Sequence, residues 1–181
     1  MRYTINITAA VLLAVGFYHR LQAARTREPI NRRHEGWLLL IGIRSVALAT
    51  AIAIWLAPPP QPSVTAWIGT AGFCLAAIWL AWMFFSLGTN ITDTVVTRRN
   101  AHFISHGPYR FVRNPMYSGL LVAGLSLSLA LSSWPIALGI TVCFVLLAIR
   151  TRIEERFLLE RFGQTFRVYM DQVGRFLPKL I

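Results

Sequence analysis

At 181 residues the chain has room for one domain, and 55% hydrophobic against 14% charged residues, with a mean hydropathy of +0.53, places it outside the range of ordinary soluble domains. The same figures exclude disorder and collagen, and Cys74 and Cys143, both inside apolar runs, form neither a disulfide framework nor a metal-ligand spacing. A formal net charge of +11 points at first to nucleic acid. The basic residues gather between apolar runs instead of forming a stripe among stacking aromatics, so no nucleic-acid partner is expected.

A spanning helix must satisfy every backbone polar group within itself, which takes about 20 mostly apolar residues. In chain order, runs at Tyr3 to Leu21 and Gly36 to Leu56 come first, the second ended by Pro58-Pro59-Pro60, which cannot continue a helix. The third is Val64 to Leu87. The first run lacks a basic leader beyond Arg2 and a small-residue cleavage site, so it reads as a retained helix rather than a signal peptide. Met116 to Leu131 and Trp134 to Ile149 are shorter, divided by Ser132-Ser133, and Pro135 falls in a first helical turn. They read as a tight helical hairpin. The expected fold is an all-α, polytopic membrane protein with about five transmembrane helices. It forms a single membrane domain over 1–181, with three N-terminal helices in 1–87 and a polar-rich region in 88–181.

Loops alternate between basic and uncharged. Arg20, Arg25, Arg27, Arg32 and Arg33 surround the first loop; Arg98, Arg99, Arg110 and Arg113 lie in the third; and Arg150 to Lys179 is basic, while the second and fourth loops have no Lys or Arg. The positive-inside rule puts the N-terminus outside and the first loop, third loop and C-terminus in the cytoplasm, against membrane lipids.

Polar residues concentrate in two of these cytoplasmic segments, 88–117 and 150–178. The hairpin between them should bring Tyr109 to Tyr117 and Arg150 to Glu155 together. In the first, Pro115 opens a helix whose unpaired N–H groups favour an anion. In the second, Arg150 and Glu154 stand four apart on one helix face. Two uses are open for them: an intrahelical ion pair, which spacing alone favours, or a site in which Glu154 holds an ammonium and Arg150 a carboxylate. Beyond, Phe157, Leu158, Phe162, Phe166 and Tyr169 alternate with charged residues as an amphipathic surface helix placed to cover such a site. Of the histidines only His102 and His106 have a ligand-like spacing, and the adjacent Gly107-Pro108 argues against a helix there, so no metal is expected.

The run Gly107-Pro108-Tyr109-Arg110-Phe111-Val112-Arg113-Asn114-Pro115-Met116-Tyr117-Ser118-Gly119 resembles the isoprenylcysteine carboxyl methyltransferase family, itself similar to membrane phospholipid methyltransferases. Glu154-Glu155-Arg156, Phe162-Gly163, Tyr169 and Arg175-Phe176-Leu177-Pro178 carry the same resemblance, which covers roughly Leu87 to Pro178. It implies S-adenosylmethionine as methyl donor and a lipid-like acceptor reaching the site from the bilayer. By motif position, Ala101, His102, Phe103, Ile104, Tyr109, Asn114, Pro115, Met116, Tyr117 and Glu154 would line the cofactor site. Arg150 would hold the acceptor, and Arg113 and Glu155 would be catalytic.

Asn114 and Ala101 stand where the family usually has His, and Phe166 where it often has Tyr. Asn114 keeps hydrogen-bonding capacity but not a titratable ring. Carboxylate O-methylation needs no general base, since the nucleophile is ionised at neutral pH. An amine acceptor would need one, with His102 or His106 the first suspects. Phospholipid N-methylation, a nicotinamide-dependent reductase of related architecture and a non-catalytic scaffold stand as alternatives.

Overall fold

A computed structural model describes residues 2–25, 37–87 and 104–179. Five α-helices account for most of them: α1 (Arg2–Arg25), α2 (Trp37–Leu56), α3 (Val64–Leu87), α4 (Pro115–Ala130) and α5 (Trp134–Gln172). A 3₁₀ turn at Gly107–Arg110 precedes α4. Among the described residues there is no strand, only an isolated parallel bridge between Val112 and Gly174.

Local chemistry sets the ends. Behind the prolines that stop α2, the Ser63 hydroxyl accepts the Ala66 N–H at 3.1 Å and caps α3. Pro115 opens α4 where a missing N–H costs nothing. The hairpin turn is closed by Ser128 Oγ donating to the Ser133 carbonyl at 3.0 Å. By length and composition α3 and α5 are able to cross a membrane, while α1, α2 and α4 hold shorter apolar stretches. With 16 residues, α4 is about 24 Å long.

One element differs from expectation. The fifth run extends without interruption into the first part of the amphipathic segment, and α5 breaks only at Gly163, where the backbone leaves helical geometry (φ 53°, ψ −126°). No loop-forming residue interrupts the chain before Gly163, and side-chain-free glycine alone adopts this geometry cheaply. Past it the helix turns back, so that Phe166, Tyr169 and Val173 pack on Leu158, Leu159 and Phe162.

Sequence neighbours are not neighbours in space. α1 lies on α3, α3 on α4, α4 on α5 and α5 on α2, so α1 and α2 occupy opposite flanks. Gly69 lets the α3 and α4 backbones approach closely: a Cβ there would stand 2.4 Å from the Ala130 nitrogen. Phe73, Ala76, Leu80 and Met83 of α3 meet Ala123, Leu127 and Ala130 of α4 to form the main core, with Ile5 of α1.

Candidate functional site

The charged ends of α4 and α5 meet on one side of the bundle, and the C-terminal stretch ties them together. The Arg113 N–H donates to the Gly174 carbonyl at 2.8 Å and the Asn114 N–H to the Arg175 carbonyl at 3.1 Å. Ser118 Oγ donates to the Phe176 carbonyl at 2.7 Å. Residues 173–176 are thereby laid along the entrance to α4, and their carbonyls are satisfied without a sheet.

Glu154 and Glu155 are adjacent on α5 and, by the helix's 100° turn per residue, face different surroundings. Glu155, 5% exposed, is held from two sides. Arg113 Nε donates to its Oε1 at 3.0 Å, and Arg175 to its Oε1 and Oε2 at 3.2 and 2.5 Å. Arg113 also donates through Nη1 to the Met170 carbonyl at 2.9 Å and to the Val173 carbonyl. The expected catalytic pair, Arg113 and Glu155, is therefore engaged with itself and with the C-terminal stretch.

Glu154 faces Tyr117, whose buried hydroxyl donates to the carboxylate at 3.0 Å. Arg150 Nε lies 3.0 Å from Glu154 Oε1, the i,i+4 ion pair that the spacing suggests. The guanidinium is not aimed along that line, and this Nε is buried with no hydrogen-bond partner among the described residues. Beyond the apolar run that ends at Ile149, Glu154 sits where burial pushes its carboxyl above the ordinary range, against the opposing pull of Arg150 and Tyr117. Burial thus outweighs the two neighbours that favour its charged form.

Tyr109 and Tyr169 complete the cluster. Tyr169 Oη donates to the Tyr109 carbonyl at 2.6 Å, latching the end of α5 to the 3₁₀ turn. Burial pushes the Tyr169 hydroxyl up to about 12, opposed by Arg113. The Tyr109 hydroxyl is raised further, by burial first and then by Tyr169 and Glu154. Both phenols stay protonated at neutral pH, Tyr169 as the latch on Tyr109 and Tyr109 as a donor beside Glu154.

The structure thus brings Tyr109, Asn114, Tyr117, Arg150 and Glu154 to one end of the bundle. Pro115 is buried, its carbonyl accepting from Trp79 Nε1 at 2.9 Å, and Met116 is 37% exposed. Ile104 is half-buried in coil at the margin of the described residues, His106 is exposed, and Ala101, His102 and Phe103 lie outside them. The reading from sequence missed the pairing of Arg175 with Glu155. Twenty positions with a helix break between them leave no spacing signal.

The sequence model of the phospholipid methyltransferase family matches residues 64–165, more than half of the chain. A methanethiol S-methyltransferase of Pseudomonas deceptionensis is 37% identical over 73 residues, which make up 40% of this chain and 27% of that protein. The solved structure of the eukaryotic intramembrane Ras methyltransferase, an isoprenylcysteine carboxyl methyltransferase, superposes with a TM-score of 0.58 at 20% identity, covering 97% of this chain and 67% of that one. That likeness is one of fold.

Proposed function

The chain belongs to the phospholipid methyltransferase family, and from that premise we propose that this membrane methyltransferase uses S-adenosylmethionine to methylate a carboxylate on a membrane-dissolved, lipid-like acceptor. The observation that carries the reading is the Tyr117–Glu154–Arg150 group. The donor's amino-acid end bears an ammonium and a carboxylate. The buried Glu154 is complementary to the first, and the Tyr109 hydroxyl, close enough to Glu154 to feel its charge, is a donor for the second. The residues present fit the cofactor.

When bound, S-adenosylmethionine would supply an activated methyl group for the acceptor oxygen, with its sulfur as leaving group. The protein's part is positioning in a dry pocket, where good orientation lowers a barrier by about 7 to 11 kcal/mol. Tyr109, Asn114, Pro115, Met116 and Tyr117, which the fold brings to the charged end of the bundle, would line the cofactor. Glu154 holds the ammonium and Arg150 the acceptor carboxylate. Arg113 and Glu155 act through the C-terminal stretch that they secure, as positioning residues.

A second acceptor class, a thiol, is favoured by the methanethiol S-methyltransferase likeness. It differs in needing a proton removed, since a thiol ionises near 8.5.

Five spans with a cytoplasmic site complete the reading. It is supported by the basic loops and by Trp55, Trp67 and Trp134, which are exposed at the end of the bundle opposite Glu154, as in an interfacial aromatic belt.

Calorimetry with S-adenosylhomocysteine on detergent-purified protein and on Glu154→Gln tests the site. Heat of binding in the first and none in the second is expected; equal heats would remove Glu154 from the site.

A further inference from the structure

The stretch after α5 doubles back on itself. A Cβ on Gly174 would overlap the Leu177 carbonyl and stand 3.2 Å from the Lys179 nitrogen, and Lys179 Nζ donates to the Asp171 carbonyl. Residues 173–179 therefore form a tight turn with Phe176 and Leu177 at its tip.

That tip lies deep. Gly124 of α4 packs on Ile140 of α5, and Tyr117 shares a cluster with Leu147, which fixes the antiparallel register of the hairpin. Phe176 packs against the same cluster, and its ring stands 5.0 Å from that of Phe144. Phe144 is more than one turn inside Ile149, where the apolar run of α5 ends. Ser118, whose hydroxyl donates to the Phe176 carbonyl, likewise lies inside the apolar run of α4. The turn thus descends from Arg175, which binds Glu155 at the charged level, past the last apolar residue of α5.

Irregular backbone is tolerated at such a depth only where protein satisfies its polar groups. Four successive carbonyls meet that condition: Val173 accepts from the Arg113 guanidinium, Gly174 and Arg175 from the Arg113 and Asn114 N–H groups, and Phe176 from Ser118. Phe176 packs into the bundle, whereas Leu177 beside it is 78% exposed. At the depth of Ser118 the surroundings of an exposed side chain are hydrocarbon, which suits leucine.

We infer that this turn is re-entrant: its tip dips below the membrane interface and inserts Leu177 among the acyl chains, while Lys179 reaches back toward the headgroups. The bilayer then holds down the stretch whose carbonyls fix Arg113 and Asn114 at the opening of α4. The inference asks only that the bundle lies in a membrane, and neither arm of its test reads methyl transfer.

The full chain in phosphatidylcholine nanodiscs is the sample. With Cys74 and Cys143 replaced by alanine, a nitroxide is attached at Leu177→Cys and, for reference, at Arg156→Cys on an exposed position of α5. Power-saturation EPR compares collisions with oxygen, which concentrates in hydrocarbon, and with a water-soluble nickel chelate. The Leu177→Cys label should favour oxygen and the Arg156→Cys label the chelate; chelate contact as strong at the first as at the second would overturn the inference. Leu177→Gln and Leu177→Phe disturb little packing, because the native side chain is exposed. Trypsin cleavage after Arg175, read by mass spectrometry, should be about tenfold faster for Leu177→Gln than for wild type and unchanged for Leu177→Phe. Equal cleavage of Leu177→Gln and wild type would overturn the anchoring.

Discussion

Tyr117 and Glu154 lie 37 positions apart, on the opening turn of α4 and the outgoing length of α5, and the phenol donates to the carboxylate at 3.0 Å. Joining the two ends of a helical hairpin, this bond aims a buried carboxylate and supplies one of its few donors. Tyr117→Phe keeps the ring in its packing with Ile43 and Leu147 and removes only the donor. Loss of a hydrogen bond to a charged group costs about 1.5 to 3 kcal/mol. A rise of about 10- to 100-fold in the dissociation constant for S-adenosylhomocysteine is expected by calorimetry.

The clamp around Glu155 should respond asymmetrically. Arg113 and Glu155 are 9% and 7% exposed at their side chains, so Arg113→Gln leaves a buried carboxylate short of a cation. A cost of about 3 to 5 kcal/mol is expected. The Arg175 side chain is 35% exposed and solvent replaces part of its charge, so Arg175→Gln should cost no more than about 1 kcal/mol. Thermal melting of both variants in the same detergent checks the order.

For Glu154, burial raises the carboxyl above its ordinary 4.5 in the folded protein. The folded state then holds the proton more tightly than the unfolded state. This contribution to stability is fully present below the unfolded value and is lost as pH rises through the folded one. The ligand-free protein should therefore lose melting temperature relative to Glu154→Gln across that window. A bound ammonium favours the ionised form, so S-adenosylhomocysteine should bind more tightly as pH rises through the same range, releasing a proton. Calorimetry in buffers of different ionisation heat detects that release.

At Gly163 the penalty of substitution is confined to the backbone. The φ of 53° with ψ −126° is one that L side chains rarely adopt, yet nothing lies within 4 Å of an added Cβ. Gly163→Ala should destabilise by about 1 to 3 kcal/mol from strain alone. Because strain there opposes the fold-back that brings Tyr169 to Tyr109, faster proteolysis of the C-terminal stretch should accompany the lower melting temperature.

The proposed topology makes an independent prediction. In intact spheroplasts Ser132→Cys, in the uncharged hairpin turn, should react with an impermeant maleimide, and Arg156→Cys only after lysis. The reverse pattern would invert the protein and turn the site outward.

Some helix boundaries were legible in the sequence because local chemistry enforces them: three prolines end α2 and Pro115 opens α4, whereas the end of α5, expected at Ile149, was not. The Arg150–Glu154 pair was legible for the same reason, since four residues are one helical turn. So was the meeting of the two polar segments, which a short hairpin brings to the same end of the bundle. The order of helices across the bundle was not, because every apolar helix has surface enough to pack on any other, and close approaches such as that at Gly69 decide among them. Nor could spacing divide the work of two adjacent glutamates. Which of them turns to Tyr117 and which to Arg113 and Arg175 depends on the rotation of α5 against α4, set by packing along the whole helix rather than by any local pattern.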